Sequence, residues 1–301
     1  MRNLSGSSLV KILALALSIA CTQSASAQHF KRVTVTGGAP LAQIAAGGKS
    51  VWARASNGKP YIFKSNKFVL ANSISLTQIA VGGGNAVKGD TVWGLDSSGL
   101  IYHAILSGTS WVFSQVPGVL DFIAVGIGYQ EACHPYEVWG LNPSAQIYRY
   151  NFCSKDFEQV PGTLGTLAVG SGEIWGINGT GDVYWFNFDT LNFDPQIIPG
   201  LKLASVTVGQ DLVWGLTTES QWATCGISSC LADTNSPLLT QVEAGGDGIW
   251  TIGTAEQVYR FELTKSDFVQ MPGALVSISV GSGGGVWGLN GAGQPLAFTT
   301  P

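Results

Sequence analysis

The chain has 301 residues, of which 45% are hydrophobic and only 11% are charged, so it can bury a large core and does not belong to the class of highly charged disordered proteins. Its 40 glycines and 12 prolines would interrupt long helices almost everywhere, which favours short strands joined by tight turns. The formal net charge is −4 and no basic run is longer than Lys31-Arg32, so the positive patch that nucleic-acid binding requires is missing.

Residues 1–27 are predicted to be a secretory signal peptide. Arg2 and Lys11 flank the start of an apolar stretch, and residues 25–27 (Ala-Ser-Ala) are typical of a cleavage site. The apolar stretch runs from Ile12 to Ala20 and, even counted from Leu9, has only 12 residues, which is too short to span a membrane. We therefore expect a secreted or periplasmic protein with residues 28–301 as its single domain. Lipidation of Cys21 is a less favoured alternative, because the leucine expected three residues earlier is displaced by one position.

A repeat of about 40 residues organises the rest of the chain. An aliphatic residue followed by Trp recurs at intervals of 36 to 46 residues, and the tryptophans are Trp52, Trp93, Trp139, Trp175, Trp214, Trp250 and Trp287. Upstream of each Trp lies a short run of small and aliphatic residues that ends in Gly, and several repeats close with a Val-Pro-Gly-like turn. Each unit divides into four short strands, which is typical of a β-propeller blade.

The last repeat ends after its third strand, whereas residues 30–35 match the pattern of a fourth strand. Pairing of this N-terminal strand with the last repeat would close the ring and remove its exposed edges. The sequence therefore predicts an all-β fold, a seven-bladed β-propeller of four-stranded antiparallel blades closed by the N-terminal strand. Six blades are the alternative.

Segments such as VWGLDSSGLIYH and IWGINGTGDVYWF, each introduced by an AVG-type strand, resemble tectonin repeats over nearly the whole mature chain. Tectonin-type proteins are β-propeller lectins and related recognition modules, some of which recognise O-methylated sugars. The resemblance implies a secreted carbohydrate-binding protein that has no cofactor and binds glycans in clefts between blades. A propeller scaffold for protein–protein interaction is the main alternative, and a glycan-acting enzyme is less favoured.

The repeated tryptophans are predicted to pack between neighbouring sheets rather than to bind sugar, because periodic apolar positions usually belong to the core. Polar or aromatic positions that vary are better candidates. The second to fourth units keep a hydrogen-bonding residue three positions after the Trp and a large polar or aromatic residue ten positions after it. With the tyrosines nine positions after the Trp, the candidate sugar-binding residues are Asp96, Tyr102, His103, Asn142, Tyr148, Arg149, Asn178, Tyr184 and Trp185. The competing interpretation is that Asn and Asp shape hairpin turns and that the Arg covers the sheet.

Two insertions and four cysteines add to this pattern. The stretch from the strand-ending Gly to the Trp spans 11 residues in the second unit and 13 in the third, against 5 or 6 elsewhere. Such loops are either binding loops or neutral spacers. An even number of cysteines in an exported chain predicts two disulfides, and the blade pattern favours Cys133 with Cys153 and Cys225 with Cys230.

The sequence offers little for catalysis or metal binding. The three histidines, His29, His103 and His134, lack the spacing of a zinc site, so no metal is expected. No G-x-S-x-G elbow and no glycine-rich phosphate loop before a helix is present, so no catalytic residue is assigned. The chain is predicted not to be an enzyme.

Overall fold

The computed structural model describes residues 29–84, 89–127, 131–170, 172–196, 201–209, 212–226, 230–233 and 237–299. These residues form strands and turns with a single short 3-10 helix among them, so the all-β prediction is confirmed. The predicted signal peptide and Cys21 lie outside the described residues. Within the described part of the chain, no helix is long and apolar enough to span a membrane.

The strands form seven sheets, which confirms the predicted seven-bladed propeller. The chain begins with β1 (His29–Arg32), β2 (Thr34–Val35) and the 3-10 helix Thr36–Gly38. Blades one and two contain β3 (Leu41–Ala46), β4 (Val51–Ala55), β5 (Pro60–Lys64), β6 (Lys67–Leu70), β7 (Gln78–Gly82), β8 (Thr91–Leu95), β9 (Leu100–Ser107) and β10 (Ser110–Val119). Blades three and four contain β11 (Phe122–Gly126), β12 (Glu137–Leu141), β13 (Gln146–Asn151), β14 (Asp156–Thr163), β15 (Thr166–Gly170), β16 (Glu173–Ile177), β17 (Val183–Asn187) and β18 (Asn192–Gln196).

The remaining three blades follow the same plan. Blades five and six contain β19 (Leu203–Gly209), β20 (Leu212–Thr217), β21 (Trp222–Cys225), β22 (Cys230–Ala232), β23 (Leu239–Gly245), β24 (Gly248–Gly253), β25 (Gln257–Glu262) and β26 (Asp267–Ala274). Blade seven contains β27 (Ser277–Val280), β28 (Val286–Leu289), β29 (Pro295–Thr299) and, as its outer strand, β1. The first strands of neighbouring blades contact one another around the ring, including β27 with β3.

The N-terminal segment closes the ring, as predicted, but over a shorter strand. β1 pairs antiparallel with β29 and places Phe30 opposite Phe298. Residues 30–35 do not form one strand, because β2 leaves blade seven and runs parallel to β6 of blade one, with Val35 opposite Phe68. Val35 also packs against the apolar cluster that contains Phe68 and Trp287, and this burial favours the change of partner. The segment therefore joins the first blade to the last.

The seven repeat tryptophans form the core between blades. All are at most 7% exposed, which confirms the packing role expected of them. Trp139, for example, meets Phe186 of the following blade edge to face, with ring centroids 4.7 Å apart. Neighbouring inner strands approach so closely that a Cβ on Gly126 would lie 2.6 Å from the carbonyl oxygen of Val169. This explains the glycine that ends the inner strand.

Glutamine side chains lock three inner strands to the next blade. In β7, Nε2 of Gln78 donates to the carbonyl of Ile123 at 2.9 Å, and its Oε1 accepts from the Ile123 amide at 3.0 Å. Gln43 makes the same two hydrogen bonds to the backbone of Ile79, and Gln241 makes them to the backbone of Ile278. An inner strand is a sheet edge with unpaired backbone groups. The glutamine side-chain amides provide hydrogen-bond partners for some of these groups.

Candidate functional site

The residue three positions after the Trp shapes the hairpin between the second and third strands. Asn142 accepts hydrogen bonds at Oδ1 from the amides of Ser144 (3.0 Å) and Gln146 (2.9 Å), and its Nδ2 donates to Oε1 of Gln146 at 2.8 Å. Asn290 and Gln294 of blade seven repeat this geometry, although that repeat lacks the candidate pairing. The turn interpretation therefore accounts for the asparagine wherever it occurs at this position.

The same turn residues contact the tyrosine nine positions after the Trp. In blade two, the hydroxyl of Tyr102 donates to Oδ2 of Asp96 at 3.2 Å. Desolvation, then this hydrogen bond and the carboxylate charge, raise the pKa of Tyr102. In blade four, Nδ2 of Asn178 donates to the hydroxyl of Tyr184 at 3.4 Å. The structure thus brings together the third and ninth positions after the Trp.

The residue ten positions after the Trp points to the opposite face, because neighbouring side chains in a strand alternate between faces. His103 stacks on Trp93 with ring centroids 4.4 Å apart and planes within 9° of parallel. Its Nε2 lies 3.1 Å from Oγ1 of Thr91, and burial lowers its pKa. Trp185 packs with Trp175 against blade five, and its Nε1 is buried without a hydrogen-bond partner among the described residues. Neither His103 nor Trp185 therefore lies with the turn residue of its own repeat, Asp96 or Asn178.

Arg149 forms a buried ion pair with Glu137. Its side chain is 8% exposed and its guanidinium makes two hydrogen bonds to Glu137, whose side chain is fully buried. The guanidinium carbon also lies 5.6 Å from the ring centroid of Trp139 and 5.5 Å from that of Phe188. The hypothesis that Asn142 and Arg149 orient one sugar stays a prediction, and in this structure the two side chains make different contacts.

A cleft lies between blades two and three. It has a volume of about 300 Å³ and is lined by Ile101, Pro117, Gly118, Val119, Leu120, Asn142, Tyr148, Asp156 and Phe157. Blade two contributes the apolar wall, where the Pro117-Gly118 pair forms a β-bulge and Gly118 has a φ of 109°. Blade three contributes Asn142, Tyr148, Asp156 and Phe157.

Two of the four blade-three residues were predicted from the sequence, and two were missed. Tyr148 and Asn142 belong to the repeat pattern, whereas Asp156 and Phe157 begin β14. An acidic residue followed by Phe also begins the outer strand of blade six, at Asp267. That recurrence is the sequence signal that identifies the position, although it does not show which blade forms an open cleft.

The insertions brace neighbouring blades where the structure describes them. The carboxylate of Asp90, in the insertion of blade two, accepts hydrogen bonds from the amides of Gly48 (2.8 Å), Lys49 (3.0 Å) and Ser50 (2.6 Å) in blade one. The hydroxyl of Tyr136, in the insertion of blade three, donates to a backbone carbonyl of the blade-two insertion at 3.1 Å. Residues 85–88 and 128–130 lie outside the described residues.

A disulfide joins Cys133 to Cys153, as predicted, and ties the blade-three insertion to the turn between β13 and β14. Cys225 is buried and lies directly opposite Cys230 across the β21–β22 hairpin. Cys225 is disulfide-bonded, and because the side chain of Cys230 lies outside the described residues, its pairing with Cys230 stays a prediction. Among the residues that the structure describes, no group of three His, Cys, Asp or Glu side chains is arranged to hold a metal ion.

The repeat pattern and the propeller geometry agree with a family model. The model of the Tectonin domain matches residues 23–196 and 202–300. The chain belongs to the tectonin family. No curated protein sequence matches this tectonin propeller.

Several solved structures share the fold of the tectonin propeller. YCF48 bound to a D1 peptide has a TM-score of 0.64 and 15% identity, over 91% of this chain and 97% of that chain. Human WBSCR16 has a TM-score of 0.61 and 9% identity, over 86% of each chain. Prp20p from Saccharomyces cerevisiae has a TM-score of 0.64 and 9% identity, over 86% of this chain and 82% of that chain. At these identities the similarity shows the fold alone.

Proposed function

We propose that this tectonin propeller is a lectin and that the cleft between blades two and three binds a sugar. The observation that carries the proposal is the composition of the cleft. Tyr148 and Phe157 provide aromatic surface for the apolar face of a pyranose, and the Asp156 carboxylate accepts hydrogen bonds from its hydroxyls. A volume of about 300 Å³ is at the small end of the usual range for ligand pockets and suits one monosaccharide unit.

The blade-two wall favours a sugar that carries an apolar substituent. Ile101, Pro117, Val119 and Leu120 line this side of the cleft. Burying one methyl group against such a wall is worth about 0.8 kcal/mol, which is roughly a fourfold gain in affinity. We therefore propose an O-methylated sugar as the preferred ligand over its unmethylated counterpart.

The proposal is one of binding without catalysis. Glycoside hydrolysis normally uses a pair of carboxyl groups on either side of the scissile bond. Among the described residues that line the cleft, Asp156 is the one carboxylate. The Cys133–Cys153 disulfide is consistent with an extracellular or periplasmic location, where glycans of other cells are accessible.

A second sugar site is proposed between blades three and four, by analogy with the first. Gly162 forms the corresponding bulge with a φ of 108°, and Tyr184 packs from blade four against the blade-three cluster. Nδ2 of Asn178 donates a hydrogen bond to the Tyr184 hydroxyl. Asp96 and Tyr102 are the corresponding pair of blade two, and the preceding blade one has no Pro-Gly bulge. We therefore propose that the sites differ in affinity. Binding should be strongest where a Pro-Gly bulge of one blade faces the tyrosine of the next blade.

A glycan array followed by titration calorimetry tests the proposal. The array identifies a sugar, and Tyr148→Ala should then weaken its binding at least tenfold, because the aromatic surface for the ring is lost. Tyr259→Ala is the matched control, since Tyr259 is the half-buried tyrosine at the same repeat position in blade six. Equal effects of the two substitutions, or absence of any bound glycan, would contradict the proposed site.

A scaffold for a protein partner is the second candidate function. The β9–β10 hairpin of blade two is longer than the equivalent hairpins, and it exposes Ile105 (48%), Leu106 (54%) and Val112 (44%). Ile105 and Val112 are direct cross-strand partners, so together they form one apolar patch. A specific protein partner that is lost on substituting Ile105→Ser and Val112→Ser, together with no glycan binding, would favour this function.

A further inference from the structure

The central channel contains a feature that sugar binding does not use. The first strands of all seven blades surround a space of about 590 Å³. Its lining consists mainly of glycine, alanine, valine and other apolar residues, together with the inner backbone edge of the sheets. Such a channel offers apolar surface to a ligand.

One position of the inner strands is polar in three neighbouring blades. Two positions before the glycine that ends each inner strand, blades one to four have alanine: Ala45, Ala80, Ala124 and Ala168. Blades five, six and seven instead have Thr207, Glu243 and Ser279. Among the described residues that line the channel, Glu243 is the only one with an ionisable side chain.

The two hydroxyl groups have a structural role that Glu243 does not share. Oγ1 of Thr207 accepts a hydrogen bond from the Ala244 amide at 3.2 Å, and Oγ of Ser279 accepts one from the Ala46 amide at 3.0 Å. Each hydroxyl thus satisfies an edge amide of the next blade. For the carboxylate of Glu243, the one hydrogen bond from a described residue comes from Nε2 of Gln241 to Oε1, at 3.0 Å. Oε2 is left available for a ligand.

The electrostatics of the channel favour a cation beside this carboxylate. Burial raises the pKa of Glu243 to about 7, although the hydrogen bond from Gln241 acts in the opposite direction. On the inner strands that pack beside β23, the lining residues offer only the uncharged Thr207 and Ser279. Asp247, at the adjoining turn, is already paired with Arg260 at 3.3 Å. A bound positive charge would therefore be the only close counter-ion of Glu243 within the described channel.

We propose that the central channel binds the primary ammonium group of a small alkyl amine, with Glu243 as its counter-ion and the alanine and valine wall around its alkyl chain. This inference is independent of the proposed sugar site. A divalent metal ion fits less well, because Ca²⁺ and Mg²⁺ take six or more oxygen ligands and Glu243 supplies the one carboxylate. A single carboxylate beside apolar surface matches one ammonium group on an alkyl chain.

The test uses n-hexylammonium as the probe and titration calorimetry on the full exported protein at pH 8, where Glu243 is ionised. We expect saturable binding at one site, with at least tenfold weaker binding by the Glu243→Gln variant. Glu219→Gln is the charge-matched control, because Glu219 is exposed, and it should bind as the wild type does. Neutral n-hexanol, which has the same chain length, should not bind at the same concentration.

The pH dependence provides a second readout. Lowering the pH from 8 to 5.5 should weaken n-hexylammonium binding at least tenfold, because the carboxyl becomes protonated. At pH 7 binding should release about half a proton per site, measured from the dependence of the binding heat on the ionisation enthalpy of the buffer. No saturable binding to folded wild type at millimolar amine, or equal binding by Glu243→Gln, would overturn the proposal while leaving the sugar site unaffected.

Discussion

The guanidinium of Arg149 donates two hydrogen bonds to the carboxylate of Glu137, from Nε to Oε2 at 2.8 Å and from Nη2 to Oε1 at 2.6 Å. The same carboxylate accepts from the indole of the repeat Trp139 at 2.7 Å. The ion pair therefore orients a core tryptophan. Breaking a buried pair on one side is costly, because the remaining charge loses its partner without regaining water.

We expect Arg149→Ala to lower the free energy of unfolding by about 3 to 5 kcal/mol, as measured by urea denaturation. Arg260→Ala is the control, since Arg260 pairs with Asp247 at 3.3 Å while remaining 31% exposed. That more exposed pair should contribute about 1 kcal/mol or less. Equal losses for the two substitutions would show that burial does not set the strength of the Arg149 pair.

Gln78→Leu should weaken the junction between blades two and three. The substitution removes both hydrogen bonds to the backbone of Ile123 and leaves its amide and carbonyl without these partners. We expect a loss of about 1 to 3 kcal/mol in the free energy of unfolding, measured by urea denaturation. Gln115→Leu, at an exposed position of β10, should change stability by less than about 0.5 kcal/mol. If Gln78→Leu is as stable as the wild type, water replaces the Gln78 amide as the hydrogen-bond partner of the Ile123 backbone.

Removing the Cys133–Cys153 disulfide should lower the stability of blade three. The two residues are 20 positions apart, and closing a loop of this length is worth about 3 kcal/mol in the chain-entropy model. The Cys133→Ser, Cys153→Ser double variant should therefore have a lower Tm than the oxidised wild type by calorimetry. Because the variant lacks the Cys133–Cys153 bond, a reductant has no such bond to cleave in it. Identical Tm values for the double variant and the oxidised wild type would contradict the prediction.

Deleting residues 29–35 should open the ring. The deletion leaves β29 of blade seven with an unpaired edge, so we expect a sharply lower Tm and concentration-dependent aggregation by light scattering. Phe30→Ala tests the packing part alone, because Phe30 lies 5.9 Å from the ring of Trp250 and 5.3 Å from that of Phe298. Phe30→Ala should lower the free energy of unfolding by about 1 to 3 kcal/mol. Lys31→Ala, at an exposed position, should leave the free energy of unfolding unchanged.

Glu243 should make the stability of the ligand-free protein depend on pH. Its folded pKa of about 7 lies above the usual glutamate pKa of 4.5, so the folded state binds more protons between these pH values. Its contribution to stability is present below pH 4.5 and is lost as the pH rises through 7. This loss amounts to up to about 3 kcal/mol. Glu243→Gln should remove that part of the pH dependence in urea denaturation curves, and Glu219→Gln should retain it.

The architecture was largely predictable because it depends on short-range patterns. The Val-Trp pairs, the strand-ending glycines and the orphan strand near Phe30 repeat or complete one local motif, and each repeat must bury its apolar face against the next. The disulfide between Cys133 and Cys153 was also predictable, since both lie within one blade. The change of partner at Val35 was not, because it depends on apolar surface contributed by a distant blade.

By itself the sequence determined the repeat, the number of blades, the strand that closes the ring and the tryptophans that fill its interfaces. Only the tertiary structure decided which side chains meet. Tyr148 and Arg149 are neighbours in sequence, yet one lines the cleft toward blade two and the other pairs with Glu137 beside Trp139. Side chains alternate between the two faces of a strand, so such neighbours point in opposite directions. Packing of one blade on the next brings together residues that are far apart in the chain, and the repeat pattern does not predict these contacts.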